Sequence, residues 1–296
     1  MIADSDVLPL LNRIGWSAPL FIIAFGAVWL AKAIYQWTES FNFADELTEK
    51  DNPAFGSALA GYLIGVTIAL TGAFPDLPPD SPDTLLRAAE SLAWQGLLVA
   101  LLMRLSVWIV GRSVLYKFGV NDEMIRDRNV GAGSVLAGGC FAAGLVLHGA
   151  LSGTSNSPWH AVRDLLVFWT VGQIILVGGA WLFIHAVRFD VEKTIEDDNV
   201  AAGLSLAGFL AAVGIIVNAA LSGASSDLLA ELAITFTSSL VGLLLLVCSA
   251  IIAAKVFLPH SPVSKEIAED RNPAAGLISA TGFIAVAILL ARAIAA

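Results

Sequence analysis

Polar and apolar positions alternate along this chain in blocks rather than residue by residue. Four times a charged segment passes through an asparagine into a Gly/Ala-rich apolar run: "ELTEKDNPAFG" (46–56), "EMIRDRNVGAG" (123–133), "KTIEDDNVAAG" (193–203) and "EIAEDRNPAAG" (266–276). Four further apolar blocks lie between these runs. A helix that crosses a bilayer needs about 20 apolar residues, and the pattern predicts eight spans. The odd-numbered spans cover 16–37, 91–116, 164–187 and 229–257, and the even-numbered ones 53–74, 130–152, 200–222 and 273–296. The Ala/Leu/Gly mix lacks a period of two, and lipid offers the backbone no hydrogen bonds. The fold class is therefore an all-α membrane protein.

Aligning the blocks on the asparagine exposes a repeat. Asn52, Asn129, Asn199 and Asn272 are each followed four residues on by Gly56, Gly133, Gly203 and Gly276, and after four more by Ala60, Ala137, Ala207 and Ala280. Recurrence at this spacing marks a repeat architecture, here four hairpins of two helices each. Two helices return the chain to the same side, so all four hairpins share one orientation. The expected division is an external segment 1–15, then repeats at 16–74, 75–152, 153–222 and 223–296.

The asparagine has a local explanation. Its side-chain oxygen can cap the first turn of a helix, and Pro53 and Pro273 follow at the first helical position, where a missing N–H costs nothing. The Gly-x-x-x-Ala spacing lines up small residues for close approach between spans. Helix start and helix packing therefore account for much of the motif without any further role.

Composition agrees with a membrane setting: 57% of residues are apolar, 14% are charged and the mean hydropathy is +0.79, against about 45–50% and 25% in soluble domains. The net charge of −9 excludes a basic nucleic-acid surface. Eleven Lys and Arg, from Lys32 to Arg271, fall on the junction side, and four, Arg13, Arg87, Arg163 and Arg292, on the other. That bias puts the junctions in the cytoplasm and both termini outside. The N-terminus "MIADSDVLPLLNRIGW" lacks a basic start, and a full-length apolar run follows it, so the first span is not expected to be a cleaved leader.

Candidate chemistry concentrates at the junctions. Glu46, Glu123 and Glu266 stand six residues before the asparagine, where repeat 3 has Lys193. Nearer to it, Glu49, Glu196 and Glu269 stand at −3 and Asp127, Asp197 and Asp270 at −2. Gathered around an axis, the −3 and −2 acids would form a cation site; interleaved Lys and Arg would instead make the linkers solvated amphipathic segments. Arg104 is the one charge well inside a span and a candidate pathway residue, or else an arginine paired with nearby polar groups. Thr71, His148 and Asn218 share one depth, as a lined vestibule or as partners in bonds between helices. Gln95 and Gln173 carry the same two readings. The four histidines are divided between the faces and make no zinc site. Cys140 and Cys248 fall within spans and read as small core residues. There is no phosphate loop, nucleophile elbow or His-Glu-x-x-His motif, so neither catalysis nor a cofactor is expected.

The runs "DNPAFGSALAG", "RNVGAGSVLAG", "DNVAAGLSLAG" and "RNPAAGLISATG" resemble the bacterial inner-membrane family called domain of unknown function 350, also known as YjfL-like, here as four tandem hairpins. The resemblance implies an inner-membrane protein with charged linkers and Gly/Ala-rich helices. It implies a gene-neighbourhood association with envelope-stress and polyamine- or peptide-ligase systems, and carries no assigned functional residue. Two functions are expected to compete. One is a cation or small-solute pathway with the acidic linkers at its cytoplasmic mouth. The other is a non-transporting organiser or envelope-stress protein acting through a cytoplasmic partner. An enzyme acting on lipid is a third, weaker reading. The lipid bilayer is the common partner of all three, and a homodimer is compatible with each.

Overall fold

The computed structural model describes residues 4–153, 157–221, 227–257 and 262–294, with backbone alone for 4–13 and 250–257. His260 and the loop segments 154–156 and 222–226 lie outside the described residues, as do the last two residues of the eighth expected span. Among the described residues, eight helices are long and apolar enough to cross a membrane. They are α1 (Asp4–Trp37), α2 (Pro53–Thr71), α3 (Pro82–Ser113), α5 (Val130–Leu151), α6 (Pro158–Ala186), α8 (Val200–Ala220), α9 (Leu228–Phe257) and α11 (Pro273–Ile294). Short helices precede each even span: a π-helical turn at Asp45–Glu49, then α4 (Val120–Ile125), α7 (Val191–Glu196) and α10 (Val263–Ala268).

The even spans start where the asparagine cap places them, at Pro53, Val130, Val200 and Pro273. The odd spans run longer than expected at the far end. α3 begins at Pro82 rather than 91 and α6 at Pro158 rather than 164, because Ser81 and Ser157 cap these helices and proline follows at the first position. Half of the stretch expected to be an external turn, "FPDLPPDSPDTLLRAAE", is thus helix. α1 likewise begins at Asp4, inside the segment expected to precede the first span.

The even spans form a row in which α2 packs on α5, α5 on α8 and α8 on α11. Small residues let the backbones meet. A Cβ on Gly133 would lie 2.2 Å from the Ala54 carbonyl oxygen, one on Gly203 would lie 2.4 Å from Gly131 Cα, and one on Gly276 would lie 2.5 Å from the Ala201 oxygen. The alanines four residues on take the complementary role: Ala137, Ala207 and Ala280 fill the space beside Gly61, Gly138 and Gly208. The first copy departs from this expectation. A Cβ on Gly56 would meet no neighbouring span, only the Leu47 side chain at an ordinary 3.9 Å, and Ala60 is exposed, because no helix precedes α2 in the row.

The odd spans make a second layer. α3 lies against α2 and α5, α6 against α5 and α8, α9 against α8 and α11, and α1 flanks α3 at one end. α5 and α8 are the interior helices, with 72% and 78% of their apolar windows buried against 22% for α11. The row is open, since α11 and α2 form no interface of the kind their neighbours share.

Candidate functional site

The four junctions repeat one construction. A short helix ends in a residue with positive φ, namely Asp51 (47°), Arg128 (55°), Asp198 (60°) and Arg271 (49°). A left-handed residue at a helix C-terminus lets the chain turn back and close a six-residue hydrogen bond. That bond runs from Asn52 N to the Glu46 oxygen, from Asn129 N to Glu123 and from Asn272 N to Glu266, each at 2.9 Å. The third copy closes one residue tighter, from Asn199 N to the Thr194 oxygen at 3.2 Å.

Each asparagine then works in two directions. Its Oδ1 accepts from the first turn of the following span, at Ala54 and Phe55, at Ala132, at Ala202 and at Ala274. Its Nδ2 reaches sideways to the next repeat: Asn52 donates to the Met124 carbonyl (3.0 Å), Asn129 to Ile195 (2.6 Å) and Asn199 to Ile267 (2.7 Å). The same amide also donates to the glutamate six residues back, from Asn52 to Glu46 (2.9 Å), from Asn129 to Glu123 (3.0 Å) and from Asn272 to Glu266 (3.0 Å). Asn52, Asn129 and Asn199 are buried, as are Glu46, Glu123 and Glu192. Cap, hinge closure and contact between repeats therefore share one side chain.

The acids singled out at −3 and −2 are elsewhere. Glu49, Asp127, Glu196, Asp197, Glu269 and Asp270 are all exposed. Arg126 forks onto Asp127 with Nη2–Oδ2 at 2.8 Å, and Arg271 Nη1 donates to the Asp197 carbonyl (3.0 Å). They converge on no common point, and no group of three His, Cys, Asp or Glu able to hold a metal occurs among the described residues. The buried carboxyls are those one turn earlier. Burial pushes Glu46 up, but hydrogen bonds from Lys50 and Asn52, with the charges of Lys50 and Arg128, hold it below its ordinary 4.5. Burial raises Glu123 above the same value; the Asn129 amide opposes the rise, and Asp127, Glu196 and Asp198 add to it. In repeat 3, where Lys193 occupies the −6 position, Glu192 is the buried acid. Lys117 of the preceding repeat approaches it at 3.2 Å and also pairs with Asp190 at 3.1 Å.

The remaining candidates are tied off locally. Arg104 pairs with Glu39 at 2.9 Å, donates to Thr38, and sits 5.2 Å from the centre of the Tyr35 ring. Glu39 in turn accepts from Asn121 (2.9 Å), so Arg104 and Glu39 fasten the end of α1 to α3 and to α4. His148 Nδ1 and Asn218 Oδ1 lie 2.9 Å apart between α5 and α8, whereas Thr71 bonds its own Ile68 carbonyl and faces outward. The three residues of equal depth thus divide into one pair and an isolated hydroxyl. Gln173 and Trp169 both donate to Ser106 Oγ, at 3.2 and 3.1 Å, linking α6 to α3. Gln95 lines an open cleft of about 440 Å³ with Arg87, Glu90 and Trp94, at the end away from the junctions. Cys140 is buried as expected, but Cys248 is exposed on α9, where it faces away from the packed layer.

The model of a family described as Domain of Unknown Function (DUF350) matches residues 9–151 and again 155–294. The chain belongs to this family. Each match spans two hairpins, so the DUF350 unit is a pair of the repeats described above, present twice. A UPF0719 transmembrane protein of Aquifex aeolicus (strain VF5) is 23% identical over 272 residues, covering 91% of this chain and 97% of that protein. No solved structure matches. The DUF350 chain is accordingly a polytopic membrane protein with internal repeats, and its junctions are the features that the repeats have in common.

Proposed function

We propose that the chain is a non-transporting, non-enzymatic organiser of the bacterial inner membrane, whose four junctions present a cytoplasmic edge to a protein partner. The observation that carries this reading is the contact between backbones along the row. Carbonyls and Cα atoms of α2, α5, α8 and α11 stand where a single added Cβ would collide, which leaves no width for a solute between these helices. The bonds made by Arg104, His148 and Asn218 point the same way. The excess of Lys and Arg on the junction side supports a cytoplasmic edge, and the exposed acids there give a partner a charged surface.

One observation favours the competing reading of a cation pathway: carboxyls of Glu46, Glu123 and Glu192 are buried at successive junctions. Purified protein in liposomes separates the two. The expected result is no flux of K⁺, protons or spermidine above that of empty vesicles under either gradient. Flux that falls when Glu46, Glu123 and Glu192 are changed together to Gln would replace the organiser with a conduit. The triple variant Asp127→Asn, Asp197→Asn, Asp270→Asn should keep its fold and melting temperature, because its acids are exposed and screened.

A further inference from the structure

One face of α3 carries five polar groups that the protein leaves unpaired. Arg87, Glu90, Ser91, Trp94 and Gln95 recur at intervals of three and four residues, so they share one side of the helix, and all five line the cleft of about 440 Å³. The facing walls, from the end of α5 and the start of α6, are apolar at Ala150, Leu151 and Ala161, and the Ser157 hydroxyl there is engaged with His160 at 2.7 Å. The side chains of Arg87, Glu90, Ser91 and Trp94 make no hydrogen bond or ion pair among the described residues, although Arg87 and Glu90 carry opposite charges on successive turns. Gln95 stands deepest of the five, and its Oε1 is buried and likewise without a partner. A buried carbonyl that lacks a donor is costly. Arg104 and His148, by contrast, are both bonded to neighbouring elements.

The level of the cleft narrows its ligand. Arg87 and Glu90 precede the apolar run that starts at residue 91, and Trp94 lies just inside it, as indoles do at a membrane interface. The two charges therefore stand among lipid headgroups, and Gln95 stands at the edge of the hydrocarbon. The volume lies toward the small end of ligand sites, which run roughly 300–1,000 Å³. Arg87 offers its fork to a phosphate. Glu90 and Gln95 Oε1 both lack a hydrogen donor, and the face of the Trp94 indole attracts a cation. A group that answers all of them carries a phosphate and a primary ammonium close together. We propose that the cleft binds a phosphoethanolamine zwitterion, its phosphate on Arg87 and its ammonium among Glu90, Trp94 and Gln95. A phospholipid headgroup supplies that chemistry in place, with its acyl chains leaving along the apolar walls of α5 and α6; glycerophosphoethanolamine supplies it from solution. An anionic lipid would leave Glu90 and Gln95 unanswered, and a polyamine would leave Arg87 unanswered. The site is built by α3, α5 and α6 and is independent of the role proposed for the junctions.

Native mass spectrometry of the full chain in detergent reads the site, with phosphatidylethanolamine, phosphatidylcholine and phosphatidylglycerol of identical acyl chains supplied in equal amounts. Phosphatidylethanolamine should be retained in preference to either competitor by about tenfold or more, the scale of one lost hydrogen bond to a charged group. Glu90→Gln and Gln95→Leu should each bring that preference toward parity, and Arg87→Gln should weaken retention of all three lipids. Arg163→Gln removes an arginine that pairs with Asp164 and does not line the cleft, and it should change nothing. Arg87 and Glu90 are exposed, so their variants should melt, without added lipid, where the unmodified chain does. The comparison of lipids on the unmodified chain stands whether or not a variant folds. Glycerophosphoethanolamine, added last, separates the two sources. A lipid that stays bound against it assigns the site to the membrane, and a lipid displaced by it assigns the same chemistry to a soluble ligand. Equal retention of the three lipids with no binding of glycerophosphoethanolamine would overturn the proposal. So would a preference that persists in both Arg87→Gln and Glu90→Gln, or an equal loss in Arg163→Gln.

Discussion

Glu46 and Glu123 occupy the same step of their junctions, each buried and each accepting from the asparagine six residues on, yet their carboxyls shift in opposite directions. Four residues after Glu46 the chain places Lys50, which closes on it at 2.6 Å; four residues after Glu123 it places Asp127, which turns outward to Arg126. The following glycines diverge as well. A Cβ on Gly56 would meet only the Leu47 side chain at an ordinary 3.9 Å, and Gly133 is pressed against the Ala54 carbonyl. Repeats 1 and 2 thus have the same bonds and different energetics. The motif sets geometry, and the neighbour on either side sets what a substitution costs.

The sharpest way to break this contrast is at the glycines. Gly133→Leu should destabilise the folded protein by about 3 kcal/mol or more, since neither backbone can give way, while Gly56→Leu should leave the melting temperature of the single chain almost unchanged. Equal losses in a thermal-melt comparison would mean that repeat 1 has a covering helix after all. The asparagines come next. Asn129→Ala removes a cap, about 1 kcal/mol, and strands the Ile195 carbonyl and the Glu123 carboxyl, about 1–3 kcal/mol more. Asn52→Ala should cost less, because Lys50 still satisfies Glu46, and urea or heat titration of the two variants side by side measures the difference.

The carboxyls give the smallest effect and the clearest sign. Glu46, held low, contributes stability that is present above 4.5 and is lost as pH falls through its depressed value. For Glu123, held high, the favourable contribution is present below 4.5 and is lost as pH rises through the raised value. At pH 7, therefore, Glu46→Gln should lower the melting temperature and Glu123→Gln should raise it, each by on the order of 2–4 °C per kcal/mol. Moving the lysine, as Lys50→Asp with Asp127→Lys, should exchange the two signs in the same pH-dependent melts.

Much of this fold is written locally. The even spans begin where the asparagine and proline place them, and the small-residue spacing marks the faces that meet. The starts of α3 and α6 were equally available in Ser81-Pro82 and Ser157-Pro158 but lie among prolines and polar residues that also suit a loop. The site was legible only in part. The sequence points to acids before each asparagine, but which acid is buried depends on the turn made by the residue between them. That residue adopts positive φ without being glycine, at Asp51, Arg128, Asp198 and Arg271, so no composition signal announces it. A ring and an open row use identical small faces and differ only in the angle at which successive helices cross.

In the first, second and fourth repeats the six-residue closure also makes the junction a counter. One inserted residue would turn the following span by about 100° and swing its glycine ridge into hydrocarbon, while the capping side chain lost its reach to the neighbouring carbonyl. Length variation among descendants of this gene should therefore collect in the loops at the opposite membrane face, and growth of the protein should proceed by duplicating whole hairpins rather than by stretching any one of them.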